Sequence, residues 1–458
     1  MDITRLLYKE LCLWKESNSR KPLILRGARQ VGKTTLIKQF ASEYPFKIAL
    51  NLEKKEDLRY FEEFDSVQDI VNALFAKHNI KSENRSQTLL FIDEIQESPE
   101  AISKLRYFYE EIADLHVIAA GSLLEHVMHD VKSFPVGRVN YLYLQPLNFL
   151  EFLAAKEQQG ALKEIQKIPI ESYAHTLLKD LFHDYCLIGG MPEVVASYLE
   201  KDQLSDLASV YESIQVPYRD DVEKYAKNAT GARVIRHIMD TAYFYLDKRI
   251  KFQNFGNSNY RSREVSEAMH NLNEARIIQL IYPTTEIGVP IIPDIKKSPR
   301  LQFLDTGLMN FELGIQADMI ALDDLSHAYK GAVIPHMITQ ELISLNVHSY
   351  KTPNFWVRDK TQSSAEVDLV IPYKDLLIPV EVKSGVAGKL KSLHQFIDAC
   401  NHAYAVRMYA GKLAVEQHKT PGTNKAYFLL NLPYYLGTKL PEYIAWFVEN
   451  HKLRGISR

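Results

Sequence analysis

The chain has 458 residues, of which 46% are hydrophobic and 24% charged, with a formal net charge of -2. Such a length exceeds one ordinary core and points to roughly two to four domains, while the composition excludes a largely disordered chain and the charge excludes a uniformly basic, nucleic-acid-coating one. Cys12, Cys186 and Cys400 are too far apart for a metal-type pair. With no leader-like start and no apolar run of about 18 residues, a cytoplasmic, reducing setting without membrane contact is expected.

In chain order, residues 3–16 set Leu6, Leu7, Leu11 and Leu13 among charges, which predicts an amphipathic helix beside the first strand. Pro22–Leu25 reads as a buried strand and Leu36–Ala41 as a helix. Between them lie Gly27, Ala28, Arg29, Gln30, Val31, Gly32, Lys33, Thr34 and Thr35. A strand, a glycine-bounded loop and a helix are the context in which this spacing makes a phosphate-binding loop. The two glycines let backbone N–H groups turn inward on phosphate oxygens. Lys33 reaches the β- and γ-phosphates, and the Thr34 hydroxyl ligates Mg²⁺. ATP and Mg²⁺ are therefore the expected cofactors.

Lys47–Leu52 predicts a second strand. Thr88–Ile92 forms an apolar run that ends in Asp93 and Glu94. Asp93 is expected to hold the hydrated metal and Glu94 to orient and deprotonate the attacking water. His116–Ser122 predicts a fourth strand. Ser122 is placed either as a sensor of the γ-phosphate or as an N-cap for residues 123–125. Val139–Leu144 predicts a fifth strand, preceded by Arg138. Arg138 would either contact a γ-phosphate, in cis or across a homo-oligomer boundary, or sit in a surface ion pair.

Five stretches carry a family resemblance: Gly27–Leu36, Leu90–Gln96, Gly121–Ser122, Gly137–Arg138 with Pro146–Phe152, and Gly189-Gly190-Met191-Pro192-Glu193. Together they resemble prokaryotic AAA-type ATPases that carry a C-terminal domain of unknown function of the 4143 class. That resemblance implies an α/β P-loop NTPase core whose five-stranded parallel sheet is of the additional-strand type.

Residues 156–225 turn helical and suggest a lid subdomain, in which the Gly-Gly-Met-Pro-Glu stretch reads as a helix–helix joint. Residues 226–315 read as a winged helix. Its basic stripe, Lys227, Arg233, Arg236, Lys248, Arg249, Lys251, Arg261 and Arg263, is interleaved with aromatics and suits nucleic acid, DNA above all, or else forms a solvated packing face.

The last domain, 325–435, places Asp368 on one predicted strand and Glu381 and Lys383 two apart on the next, hence on one face. With Glu341 on a preceding helix, this resembles the restriction-endonuclease-like PD-(D/E)xK nucleases. The resemblance implies a metal held by Asp368, Glu381 and Glu341, a water positioned by Lys383, and support from Gln395. Residues 1–155 then form the ATPase core, and 436–458 form a tail. Two functions follow: an ATPase with a nuclease-like domain that acts on nucleic acid, or a nucleotide-dependent switch that binds DNA or a protein partner without cutting. A GTPase is disfavoured, because no Asn-Lys-x-Asp lies in the P-loop region.

Overall fold

The computed structural model describes residues 3–122, 135–201, 204–222, 226, 228–320, 331–358, 365–385 and 390–452. Lys227 of the basic stripe and the helix start expected at 123–125 lie outside them.

The first sheet contains β1 (Leu23–Arg26), β2 (Phe46–Asn51), β3 (Thr88–Asp93), β4 (His116–Gly121) and β5 (Asn140–Tyr143), in the order β2-β3-β4-β1-β5. Every pairing is parallel. Strand alternation explains why such short runs suffice. Leu23, Leu25, Leu89, Phe91, Ile118 and Ala120 enter one core, and Ile24, Leu90, Ile92, Val117 and Ala119 enter the core on the opposite face. A sheet covered on both sides needs near-continuous apolar strands, and these have them. With β4 inserted between β1 and β3, the ends of all three converge where Gly27, Asp93 and Ser122 leave the sheet.

The N-terminal helix Leu7–Glu16 turns Leu7, Leu11 and Trp14 inward and leaves Leu6 and Leu13 more than half exposed. Its aromatic residues pack on Phe40 of the helix Lys33–Phe40, and its Leu7 and Leu11 share a core with Leu23 and Leu25 of β1. The described residues between 149 and 220 are mostly helical, in successive helices joined by short connections. The helix Phe149–Ala155 starts with a capping box between Asn148 and Glu151.

Helices Ala229–Thr241 and Ser262–Glu274 lead into an antiparallel pair, β6 (Ile278–Ile281) with β8 (Arg300–Phe303). Between them β7 (Pro283–Thr284) leaves that pair and adds itself, parallel, to β9 (Asn354–Val357). The last sheet continues through β10 (Glu366–Tyr373), β11 (Leu376–Val382), β12 (Tyr404–Tyr409), β13 (Ala414–Lys419) and β14 (Ala426–Pro433), in the order β13-β14-β12-β11-β10-β9-β7. Helix Val333–Ser344 is buried along nearly its whole length, which is why its sequence is apolar on all sides.

Candidate functional site

Lys33, Thr34 and Glu94 border one cavity of about 560 Å³, together with Arg29, Gln30, Gly32 and Thr35. The loop needs its glycines. Gly27 has φ 155°, and a Cβ there would lie 2.4 Å from the carbonyl oxygen of Leu144; Gly32 has φ 92°. Ala28 and Val31 point into the core. The Lys33 ammonium donates to the carbonyl oxygens of Gly27 (3.0 Å) and Ala28 (2.8 Å). Burial pushes its pKa down to about 8, outweighing the opposing pull of Glu94 and Asp93.

Thr34 Oγ1 donates to Asp93 Oδ2 at 2.7 Å, and the other Asp93 oxygen accepts from the Glu94 N–H. Burial raises the Asp93 pKa. A hydroxyl and a carboxylate in contact beside a lysine are a donor set that fits hydrated Mg²⁺. Glu94 has φ 52°, and its carboxylate is gripped by the Gln96 amide at 2.5 Å. Neither Ser122 nor Arg138 lines this cavity among the described residues. The Ser122 hydroxyl is buried and finds no partner among them. Arg138 is ion-paired with Glu110 at 2.9 Å.

Several contributors escape a motif search. Arg5 is buried and spans Val31 O (2.9 Å), Gln145 O (2.5 Å) and the Glu151 carboxylate (3.1 Å), bracing the phosphate loop from the N-terminal segment. Arg29 is ion-paired with Asp221, and its carbonyl accepts from Tyr218 at 2.6 Å. The far wall of the cavity is Pro192, Glu193, Ala196 and Pro217. The Gly-Gly-Met-Pro-Glu stretch joins helices His175–Ile188 and Pro192–Lys201, and it also closes over the phosphate loop. Arg29 and the Gly-Gly-Met-Pro-Glu stretch stand out in the sequence, but long-range packing alone brings Arg5, Ala196 and Pro217 here and sets the stretch against the loop.

The second constellation departs from expectation. Asp368 Oδ2 accepts the Val382 N–H at 2.9 Å, and Oδ1 faces Arg300 Nη2 at 3.4 Å. Arg300 comes from β8 and also holds Glu366 and Asp247, and Arg249 adds a second cation on Glu366 at 3.1 Å. Lys383 donates to Glu381 Oε1 at 2.5 Å, while Glu381 Oε2 is buried without a hydrogen bond among the described residues. Burial, with Asp368 nearby, pushes the Glu381 pKa up to about 7, and burial pushes Asp247 to about 6.

Glu341 does not join this group. Fully buried, it accepts from the Phe149 N–H (3.0 Å) and the Tyr185 hydroxyl (2.8 Å), and so ties helix Val333–Ser344 to the start of helix Phe149–Ala155. Its expected place in a metal shell is corrected accordingly. Gln395, expected to support this site, accepts from Arg358 at 3.1 Å. Among the described residues no group of three ligand side chains is arranged to hold a metal. Asp368 is engaged by a guanidinium and an amide and Glu381 Oε1 by an ammonium, so of these oxygens Glu381 Oε2 alone has no partner among the described residues.

Residues 19–153 match the AAA domain family (AAA_14). Residues 179–319 match a domain of unknown function (DUF8612), and 330–435 match another (DUF4143). No curated protein matches. Among solved structures, the Walker-type ATPase PABY2304 of Pyrococcus abyssi is similar at 13% identity and a TM-score of 0.44, over 68% of this chain and 96% of that one. The Aeropyrum pernix ORC1 protein, solved in complex with DNA, is similar at 13% identity and a TM-score of 0.30, over 70% and 95%. At such scores neither likeness bears weight. The family matches and the parallel-sheet geometry together support an AAA-type P-loop ATPase with a DUF4143 domain at its C-terminal end.

Proposed function

We propose that the chain binds and hydrolyses ATP at the cavity around Lys33, and that nucleotide state governs how its C-terminal half engages nucleic acid, DNA in the first instance. The convergence of Lys33, Thr34 and Glu94 on one cavity, with Asp93 bonded to Thr34 behind it, carries this proposal. Inward-facing amides and the Lys33 ammonium hold the β- and γ-phosphates, while Glu94, steadied by Gln96, accepts the proton of the attacking water. Mg²⁺ held through Thr34 and Asp93 would supply charge neutralisation on the phosphates. Ser122, off the cavity lining but at the end of β4 with a buried hydroxyl that has no partner among the described residues, is assigned the γ-phosphate sensor's place. Arg138, ion-paired with Glu110 on the surface, is assigned to a nucleotide across a homo-oligomer boundary. In this proposal the chain divides into core (1–155), lid (156–225), winged helix (226–315), nuclease-like domain (325–435) and tail.

Of the two C-terminal roles, the Arg300 network favours binding without cleavage. A guanidinium and an amide on Asp368, and two guanidinium groups on Glu366, occupy acceptor positions that a metal would compete for. The test is direct. Purified protein should turn over Mg·ATP, and Glu94→Gln should bind ATP but hydrolyse it about a hundredfold or more slower. Labelled single- and double-stranded DNA and RNA, incubated with Mg²⁺ or Mn²⁺ and ATP, should be retained but not cut. Products that vanish in Lys383→Ala would overturn the non-cleaving role. Failure to bind Mg·ATP in calorimetry would overturn the whole proposal.

A further inference from the structure

One short segment connects the two constellations. Arg300 begins β8, and five residues later Asp305 caps the helix Thr306–Leu313, accepting the Leu308 N–H at 3.0 Å. The same Asp305 carboxylate accepts the Gly190 N–H at 2.6 Å, two residues before Pro192 in the cavity wall. The joint has no slack. A Cβ on Gly189 would lie 2.2 Å from Asp305 Oδ1, and one on Gly307 would lie 1.9 Å from Ile188 O. Asn310 clasps the end of the preceding lid helix through Cys186 O at 2.8 Å.

The segment is also fastened to the C-terminal domain. Gln340 reaches Asp305 and Thr306, and His336 accepts the Phe303 N–H at 3.0 Å. At the far end Arg300 is largely buried, stacks on Phe355 with its guanidinium 4.7 Å from the ring centroid, and gathers Asp247, Glu366 and Asp368. Closely packed elements of this kind move as units, because interiors switch between discrete arrangements and do not stretch.

We propose that residues 300–307 form an arm operated by nucleotide: when the lid closes on ATP, the Gly189–Gly190 turn carries Asp305 with it and withdraws Arg300 from the carboxylates of β10, unlocking the C-terminal domain. This rests on ATP binding at the Lys33 cavity and specifies how that binding is regulated. Linkage gives a sharp consequence. If ATP binding must break the Arg300 lock, a chain without the lock binds ATP more tightly by the same coupling factor.

The experiment measures ATP affinity by calorimetry in the full-length chain carrying Glu94→Gln, with Arg300→Met or Asp368→Asn added. Both additions should tighten ATP binding about fivefold or more, the lower end of ordinary coupling. Hydrogen exchange across residues 366–373 should quicken on adding ATP in the parent and already be fast in both lock variants. Affinity unchanged in both variants, or β10 exchange indifferent to bound ATP, overturns the arm while leaving the ATPase intact. Absence of ATP binding in the parent overturns the ATPase proposal, and the arm falls with it.

Discussion

A lysine held among carbonyl oxygens, with its ordinary pKa lowered to about 8, waits for an anion. The direction of that shift fixes a pH dependence. Bound triphosphate requires the ammonium, whereas in the free protein a growing share of Lys33 is neutral above about pH 8. Affinity for ATP should thus be flat below pH 7.5 and weaken up to about tenfold per pH unit above roughly pH 8, with proton uptake on binding. Calorimetry in two buffers of unlike ionisation enthalpy measures this, and an affinity constant up to pH 9.5 would contradict it. Lys33→Ala should abolish binding. At this scale the sequence was most legible. Lys33, Thr34, Asp93 and Glu94 are placed by short patterns of strand, turn and cap whose geometry is local. Arg5 and Arg300 were illegible, because each owes its role to a partner that only the folded chain brings within reach.

Among elements, the helix Val333–Ser344 is the keystone between the ATPase core and the last sheet, and Glu341 is its polar contact with the core. Burial raises the Glu341 pKa to about 8. The folded chain therefore holds a proton that the unfolded chain releases near the ordinary carboxylate range. Stability from this group is fully present below that range, declines as pH rises toward 8, and is flat beyond. Glu341→Gln should show no such decline; denaturant titrations of both chains between pH 4.5 and 9 compare them. Glu341→Ala, which orphans the Phe149 N–H, should cost about 2–4 kcal/mol at the acid end of that range and less as pH rises toward 8. The sequence placed Glu341 correctly on a helix and then assigned it to the wrong neighbours, because periodicity fixes a residue's face but not what covers it. A second element prediction concerns the lid joint. A Cβ on Gly190 would lie 2.1 Å from Leu147 O, so Gly190→Ala should destabilise by about 2–3 kcal/mol, read as a lowered denaturation midpoint.

For the whole molecule, the order of sheet, helical region, helix pair with hairpin, and second sheet was legible from changes of period along the chain. The seven-stranded sheet was not, since β7 is two residues long and carries no pattern of its own. Nucleic-acid engagement belongs to this scale. Arg261 and Arg263 are exposed at the start of helix Ser262–Glu274. Replacing both with Ala should weaken DNA binding evenly across sequences and lower the salt slope by about two, measured by anisotropy at several salt concentrations. An unchanged slope would move the contact surface elsewhere. The stray strand has a consequence for anyone dissecting the chain. β7 is lent by the middle region and covers the rim of β9, so a fragment beginning near residue 330 would bare a row of unpaired amides and carbonyls. Such a piece should clump in solution even though its own sequence is intact, and resume good behaviour once the preceding hairpin is restored.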